Sequence, residues 1–551
     1  MKLTQGFNLL ATAPDGIKRL RELILSLAVQ GKLVPQDAND EPASELLKQN
    51  RVEKDRLIAE KRIRKGKELP SIDEAELNHE LPIGWEWARL GSLGDWGAGA
   101  TPSRNNTAYY GGEIPWFKSG ELIADYIDQS EETVTELALK ECSLRLNNIG
   151  DVLIAMYGAT IGKTAIQNVV GTTNQAVCAC TPFSCLERRY LLLVLKALKP
   201  HFIGMGAGGA QPNISREKII DTVIGLPPLA EQSRIVAKVE ELMELCNALE
   251  THGKLEAKQH ARLTATLFDA LATSESAHAL QENWARLASH FDLILDRPAA
   301  VDALEQTLLQ LAVRGLLVPQ DHNDHPASEL LKQIRTEKDR LIAEGKIKKD
   351  KPLPAITDEE KPFDLPLGWE WVRFAAIADI ASNLVSPDEY LNSEQVAPDL
   401  IEKFTGRLIG RRTVSEAGVT SSNHLFKSGQ ILYSKIRPSL SKAVIVDFDG
   451  LCSADMYPIN ARIHPQYLHR YILSQMFLEQ VKVAENRVKM PKLNQEALNG
   501  FLVALPPLSE QSRIVSRVEA LRALCAQLRE RLTTSQKIQT HLAETLVENC
   551  A

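Results

Sequence analysis

Two long stretches of this chain are nearly the same sequence. "LAVQGKLVPQDANDEPASELLKQNRVEKDRLIAEKRIRKGKELPSI", beginning at Leu27, aligns without a gap with "LAVRGLLVPQDHNDHPASELLKQIRTEKDRLIAEGKIKKDKPLPAI", beginning at Leu311, and 34 of 46 positions are identical. The offset of 284 residues holds back to Phe7 and Phe291 and forward to "LPIGWEW" at Leu81 and "LPLGWEW" at Leu365. A second pair, "LPPLAEQSRIV" from Leu226 and "LPPLSEQSRIV" from Leu505, is separated by 279 residues. Such a pattern means a duplicated architecture. Between the repeated blocks lie Ala88 to Gly225 and Val372 to Ala504, of similar length but strongly diverged, with mixed strand, turn and short-helix signals. The framework is duplicated, and the segments it carries differ.

A chain of 551 residues exceeds one ordinary core. The repeat divides it into a helical framework (1–80), a first globular module (81–225), a long helix (226–272), a linker with repeated framework (273–364), a second module (365–504) and a second long helix (505–551). The expected fold class is α+β, with mixed α/β modules. After each "PPL[AS]EQSRIV" the apolar residues step by four and three: Ile235, Val239, Leu242, Cys246 and Leu249, then Ile514, Val518, Leu521, Cys525 and Leu528. That spacing is the a/d seam of a coiled coil, and it also fits an amphipathic helix packed on its own module. The pattern resumes at Leu263 and Leu267, and at Ile538, Leu542 and Leu546. A helix of about 44 residues is roughly 66 Å long, beyond the reach of one small domain. The linker Thr273 to His290 has no counterpart at the chain ends, so pseudo-twofold symmetry requires the N-terminal helix to dock beside the C-terminal one, with the termini close together.

Composition narrows the function. The 44% hydrophobic and 25% charged fractions are those of a globular protein. No apolar run reaches the roughly 18–20 residues of a membrane span, and Met1 to Pro14 has no secretory h-region, so a cytoplasmic location is expected. The eight cysteines form no CxxC pair. Strand alternation puts Cys178 and Cys180 on one face as small buried hydrophobes rather than metal ligands. The net charge of -7 disfavours a uniformly basic nucleic-acid binder but leaves room for local basic patches.

Motifs for catalysis are wanting. In "YGATIGKTAI" only three residues separate Gly158 from Gly162, one short of a phosphate-binding loop, so a tight turn after the strand "DVLIAMY" is expected, with Thr160 and Lys163 at its tip. "GMGAGG" fits GxGxxG through Gly204, Gly206 and Gly209, but no strand precedes it and Pro212 follows, which favours a loop. Its counterpart in the second half is "NRVKMPKLNQEAL", with Pro491 matching Pro212. Neither "LPPL" has the order that amino-methyltransferases use to hold a flipped base, and no HExxH, GxSxG or paired metal-ligand motif occurs.

Basic side chains collect in the divergent segments. In the second they are Arg411 and Arg412 of "IGRRT", Lys435, Arg437 and Lys442 of "YSKIRPSLSK", and Arg487 and Lys489 of "ENRVKM". In the first, Arg104, Lys118, Tyr157, Thr160, Lys163, Asn213 and Arg216 are the candidates. Arginine forms bidentate bonds to guanine O6 and N7 or clamps phosphate, and lysine supplies salt-sensitive phosphate attraction. Any one of them also reads as solvated surface. The runs at Lys61 and Lys346 belong to the framework, as solvated helix ends or DNA-backbone contacts.

Two divergent segments, each opened by "LP[IL]GWEW" and closed by "LPPL[AS]EQSRIV" plus a long helix, make the chain resemble the specificity subunits of type I restriction-modification enzymes over nearly all its length. "TPSRNNTAYYGGEIPWFKSGEL", "GDVLIAMYGATIGKTAI" and "KSGQILYSKIRPSLSKAV" look like elements of target-recognition domains. The resemblance implies two such domains separated by an antiparallel pair of long helices, each reading one half of a bipartite, asymmetric site in double-stranded DNA. The helices would fix the unread spacer, and the framework would bind two methyltransferase subunits, to which restriction and motor subunits add. The chain itself would be non-catalytic and bind no cofactor; S-adenosylmethionine, ATP and Mg would belong to the partners. The charged helix "PASELLKQ...EKDRLIAE" ahead of each module departs from the family pattern. Two other readings stand beside it: a protein-binding adaptor with two variable domains, and a self-sufficient restriction enzyme, disfavoured by the missing signatures.

Overall fold

Each "GWEW" segment forms a strand that pairs with the strand just before the next "PPL". In the computed structural model, which describes residues 9–77, 79–206, 212–274, 276–345, 353–484 and 491–550, Glu86–Arg89 runs antiparallel to Val223–Leu226, with Trp87 opposite Gly225. Glu370–Arg373 pairs in the same way with Leu502–Leu505. The repeated residues at the two ends of each divergent segment therefore close it as a loop on the framework.

The chain divides into two compact units, Met1–Leu255 with Gln536–Ala551, and Glu256–Ser535. In the first, helix α1 (Gly16–Val29) is followed by α2 (Ala43–Ala59). The module's main sheet has five strands in the order Gly94–Ala98, Val177–Pro182, Val152–Ala155, Thr164–Gln167, Tyr126–Ile127. Only the last pair is parallel. A three-stranded sheet of Thr133–Val134, Tyr110–Phe117 and Thr172–Thr173 stands beside it. The long helix α3 (Leu229–Ala272) starts directly after Pro227 and Pro228, whose fixed φ suits the approach to a first turn. Its residues 229–255 belong to this unit.

The second unit holds α4 (Pro298–Val313), α5 (Ala327–Ala343) and most of the long helix α6 (Leu508–Cys550). Its module carries a four-stranded antiparallel sheet in the order Ala378–Ile380, Met456–Ala461, Ile431–Ser434, Ala443–Ile445. These strands match the first four of the other module's sheet in order, at the sequence offsets of the framework. Two segments that diverge in sequence thus share a sheet, because a buried strand asks only for apolar residues of suitable size and not for particular ones. A second four-stranded sheet is made of Leu384–Val385, Asn423–Phe426, Gly450–Cys452 and Glu394–Val396. The architecture is mixed α/β.

The helical stripe packs largely within its own unit. Ile235, Val239 and Cys246 are buried with Leu20, Leu23, Leu27 and Tyr190, and Leu242 joins them partly buried. Leu249 is half-buried. In the second unit Ile514 and Val518 pack with Leu309, Trp369 and Tyr467, whereas Leu521, Cys525 and Leu528 pack with Val301, Leu304 and Phe268. The expectation that the stripe resumes at Leu263 and Leu267, and at Ile538, Leu542 and Leu546, holds at Leu267 and Leu546 and is corrected at the other three, since Leu263 is 56% exposed, Ile538 54% and Leu542 51%. Thr264, Phe268 and Leu271 turn inward on α3, and Ala543 and Leu546 on α6. A straight α-helix drifts by about 20° per heptad against a 3.5-residue repeat, so the seam leaves its starting face after several turns. The expected docking of the N-terminal helix beside the C-terminal one is present: Arg19 of α1 pairs with Glu544 of α6 at 2.7 Å. The termini themselves lie outside the described residues.

Candidate nucleic-acid interface

The junction that holds each module is the same set of side chains twice. Glu231, in the first turn of α3, is fully buried and accepts hydrogen bonds from Trp85 Nε1 and Gln36 Nε2, both at 3.1 Å. Gln36 also donates to the Gly31 carbonyl, and Arg234 pairs with Asp40 at 2.6 Å. In the second unit Glu510 accepts from Trp369 Nε1 at 2.9 Å and Gln320 Nε2 at 3.2 Å, and Arg513 pairs with Asp324 at 2.6 Å. Burial holds both carboxyls above their ordinary value, against the pull of those hydrogen bonds. Sequence reasoning found the blocks but not this network, whose members are up to 195 residues apart.

At the end of the strand Val152–Ala155 the chain makes the expected tight turn, Gly158–Thr160, with Gly158 and Gly162 both at positive φ. A second loop is stitched onto it. Gly158 N donates to Pro212 O at 2.8 Å, Ile214 N donates to Met156 O at 2.9 Å, and Tyr157 bridges Asn213. A third and a fourth loop join the same edge, since Met156 N donates to Ala176 O, Ala100 N to Thr173 O, and the Thr101 hydroxyl contacts the Gln175 amide oxygen. Tyr157, Thr160, Lys163, Asn213 and Arg216 are therefore brought together, with Arg104 on the loop that follows Thr101.

The second module builds the same edge. Arg437 N donates to Pro491 O at 2.9 Å, Leu493 N donates to Lys435 O at 2.8 Å, and Ile436 bridges Lys492. Arg437 and Ser441, both at φ 45°, stand where Gly158 and Gly162 stand in the first module. Lys442 matches Lys163, and both carbonyls accept from the preceding strand, from Ser434 N and Ala155 N. Applying the 279-residue offset inside the diverged segments aligns "MYGATIGK" with "KIRPSLSK", a signal that the sequence holds but that the divergence of the residues conceals. For a residue with a side chain the left-handed region costs about 1–2 kcal/mol, and a following proline restricts the backbone further. Arg437 bears both conditions, because Pro438 follows it.

The cations differ in how free they are. Arg104 and Lys118 share Glu132, at 2.5 and 3.0 Å, and the Arg104 guanidinium lies 4.5 Å from the centre of the Tyr110 ring. The two cations hold the Glu132 carboxyl down at about 2. Arg216 pairs with Glu217, Arg411 with Asp447 at 3.2 Å, and Arg412 with Asp399 at 3.0 Å. Lys442 Nζ donates to Pro398 O at 2.5 Å, and Lys435 Nζ sits 5.2 Å from the centre of the Tyr457 ring. Among the described residues, Lys163 and Arg437 have no carboxylate partner. Tyr157 and Asn213 are exposed. Arg487 and Lys489 lie outside the described residues.

The edge carries hydrogen-bonding and cationic groups. Cys178 and Cys180 are fully buried in their strand, and burial pushes the Cys178 thiol up to about 12. Among the described residues no group of three or more His, Cys, Asp or Glu could hold a metal ion, and no helix is long and apolar enough to cross a membrane.

Comparison with known proteins gives a consistent set. The family model of the type I restriction modification DNA specificity domain matches residues 82–259 and 366–538, one match per module with its helix. The chain is 36% identical to the specificity subunit of the type I restriction enzyme EcoAI of Escherichia coli, over 97% of this chain and 93% of that one. It is 35% identical, with the same coverage, to the specificity subunit of EcoEI from the same organism. Among solved structures, the HsdS subunit from Thermoanaerobacter tengcongensis is similar at 16% identity and a TM-score of 0.40, covering 86% of this chain and 98% of that one.

Proposed function

The chain belongs to the family of type I restriction-modification specificity subunits, and from that premise we propose how its parts divide the work of recognising a DNA sequence. Each module reads one half of a bipartite site, through the edge that carries Tyr157, Lys163 and Asn213 in the first and Lys435, Arg437 and Lys442 in the second. The carrying observation is that both modules present the same stitched turn with different side chains on the same framework. Equal frames with unequal readers suit a target whose halves are unlike. Arginine, lysine, asparagine and hydroxyl groups are the side chains that discriminate base edges in the major groove.

The helices α3 and α6 act as an antiparallel, pseudo-twofold pair that sets the unread spacer and docks two methyltransferase subunits, with restriction and motor subunits joining them. The chain performs no chemistry of its own. S-adenosylmethionine, ATP and Mg serve the partner subunits, in the cytoplasm. A half-site of a few base pairs binds weakly alone, and a fixed connection makes the second engagement intramolecular.

The test is binding of the assembled complex to duplexes in which one half-site at a time is scrambled, across a salt series. Scrambling either half should lower affinity by roughly a hundredfold or more, toward non-specific binding. Affinity should also fall steeply with salt. A loss below about tenfold for either half, or binding indifferent to salt, would favour the protein-binding adaptor.

A further inference from the structure

The turn of the second module places an arginine where its backbone favours glycine. Arg437 stands at φ 45° and ψ 53°, ahead of the buried Pro438. Its counterpart Gly158 takes the same region at φ 60° with no side chain to strain. The turn is over-determined around Arg437: its N–H donates to Pro491 O, its carbonyl accepts from Leu440 N at 2.9 Å, and Ser441 N donates to Pro438 O at 3.0 Å. The Ser441 hydroxyl then fastens the turn to Ile472 O at 3.3 Å. Strain kept in place by its surroundings is a mark of sites where a side chain has to point in a given direction.

Among the described residues the neighbouring cations are engaged and this one is not. Lys442 is bound to a carbonyl, Lys435 rests on the Tyr457 ring, and Lys492 pairs with Asp455 at 3.0 Å. The Arg437 side chain is exposed and, among the described residues, has no carboxylate within reach. A guanidinium fork on a rigid turn matches the paired acceptors O6 and N7 of guanine, which a flexible point charge matches less well. We propose that Arg437 is a specificity-determining residue that reads a guanine in the half-site taken by the second module. The first module, with Gly158 at the same place, reads its half without a cation there. This rests on the reading of the chain as a DNA-recognition subunit.

The test assembles the full chain with its methyltransferase partners as wild type, Arg437→Gly and Arg437→Lys, and lets each complex select from a pool of randomised duplexes that is then sequenced. Glycine accepts the left-handed turn, so Arg437→Gly should melt no lower than wild type, and a change in selection cannot come from misfolding. Wild type should enrich guanine at one position of the second half-site. Arg437→Gly should lose that preference by roughly ten- to a hundredfold, with the rest of the consensus intact. Arg437→Lys should retain part of it. An unchanged consensus with Arg437→Gly overturns the proposal. So does an even loss of affinity across all sequences with a salt slope lower by about one, the signature of a phosphate contact. If wild type enriches no sequence at all, the DNA-recognition reading itself falls, a result distinct from either.

Discussion

At Glu231 a carboxylate is buried against the indole N–H of Trp85, and the same is true of Glu510 and Trp369. Replacing Glu231 with alanine strands that N–H and the Gln36 amide without partners, so a loss of about 1–3 kcal/mol is expected from denaturant unfolding. Glu231→Gln leaves an acceptor for the indole and gives a pH test. Burial raises the folded pKa of Glu231, so its protonated form favours folding, and that contribution is lost as pH rises through the folded value. Glu231→Gln behaves as a form that never ionises, so its melting temperature relative to wild type should be highest at neutral pH and fall as pH drops toward the ordinary carboxyl range. Glu132 carries the opposite sign, since Arg104 and Lys118 hold it at about 2 and its stabilising effect fades as pH falls toward that value. Glu132→Gln frees Arg104 of its carboxylate, whereas Lys118 keeps Glu131 at 2.8 Å. If Arg104 faces DNA, non-specific affinity and its salt slope should rise, and no change in either would remove Arg104 from the interface. The identity of these cations was legible in the sequence, but their freedom was not, because the carboxylate that occupies Arg104 lies 28 residues away.

Between helices, one position carries an ion pair in both units with the charges exchanged. In the first unit Arg21 of α1 pairs with Glu250 of α3 at 2.8 Å. In the second, the matching residues are Glu305 of α4 and Arg529 of α6, also at 2.8 Å. Burial disfavours the charge on Glu305, but Arg529 and Arg522 outweigh it and hold the carboxyl below its usual value. Either framework helix in the other's seat would bring like charges together, so the exchange opposes misassembly of the repeat. Glu305→Arg should lower the melting temperature, and adding Arg529→Glu should recover part of the loss, the remainder coming from Arg522 and Asp302, which then face like charges; no recovery at all would show that the pair sets no preference. The repeat made these helices legible as elements. The exchange emerges only once both offsets, 284 and 279, are applied together, and the drift of the stripe at Leu263, Ile538 and Leu542 only from the helix itself. Gly31 is a further element-scale case, at φ 69° and facing the Trp85 ring, with a built Cβ 2.9 Å from Cζ2. Gly31→Ala should therefore destabilise the first unit by at least the roughly 1–2 kcal/mol of a left-handed residue, measured by denaturant unfolding.

For the molecule as a whole, the duplication carried most of what could be read beforehand: two modules, two long helices and the family. The common sheet of the modules was hidden, because buried strands accept many apolar sequences, and so was the turn in which Gly158 and Arg437 are equivalent. In the proposed division of labour, a frame common to both halves presents two independent readers. That division is tested most directly by exchanging Ala88 to Gly225 for the corresponding segment of a relative, assembling the chain with its methyltransferase subunits and mapping the methylated adenines in exposed DNA. The expected result is a split, asymmetric motif in which one half changes and the other half persists. Normal assembly with an unchanged methylation pattern would contradict it, because the exchanged module would then read no DNA.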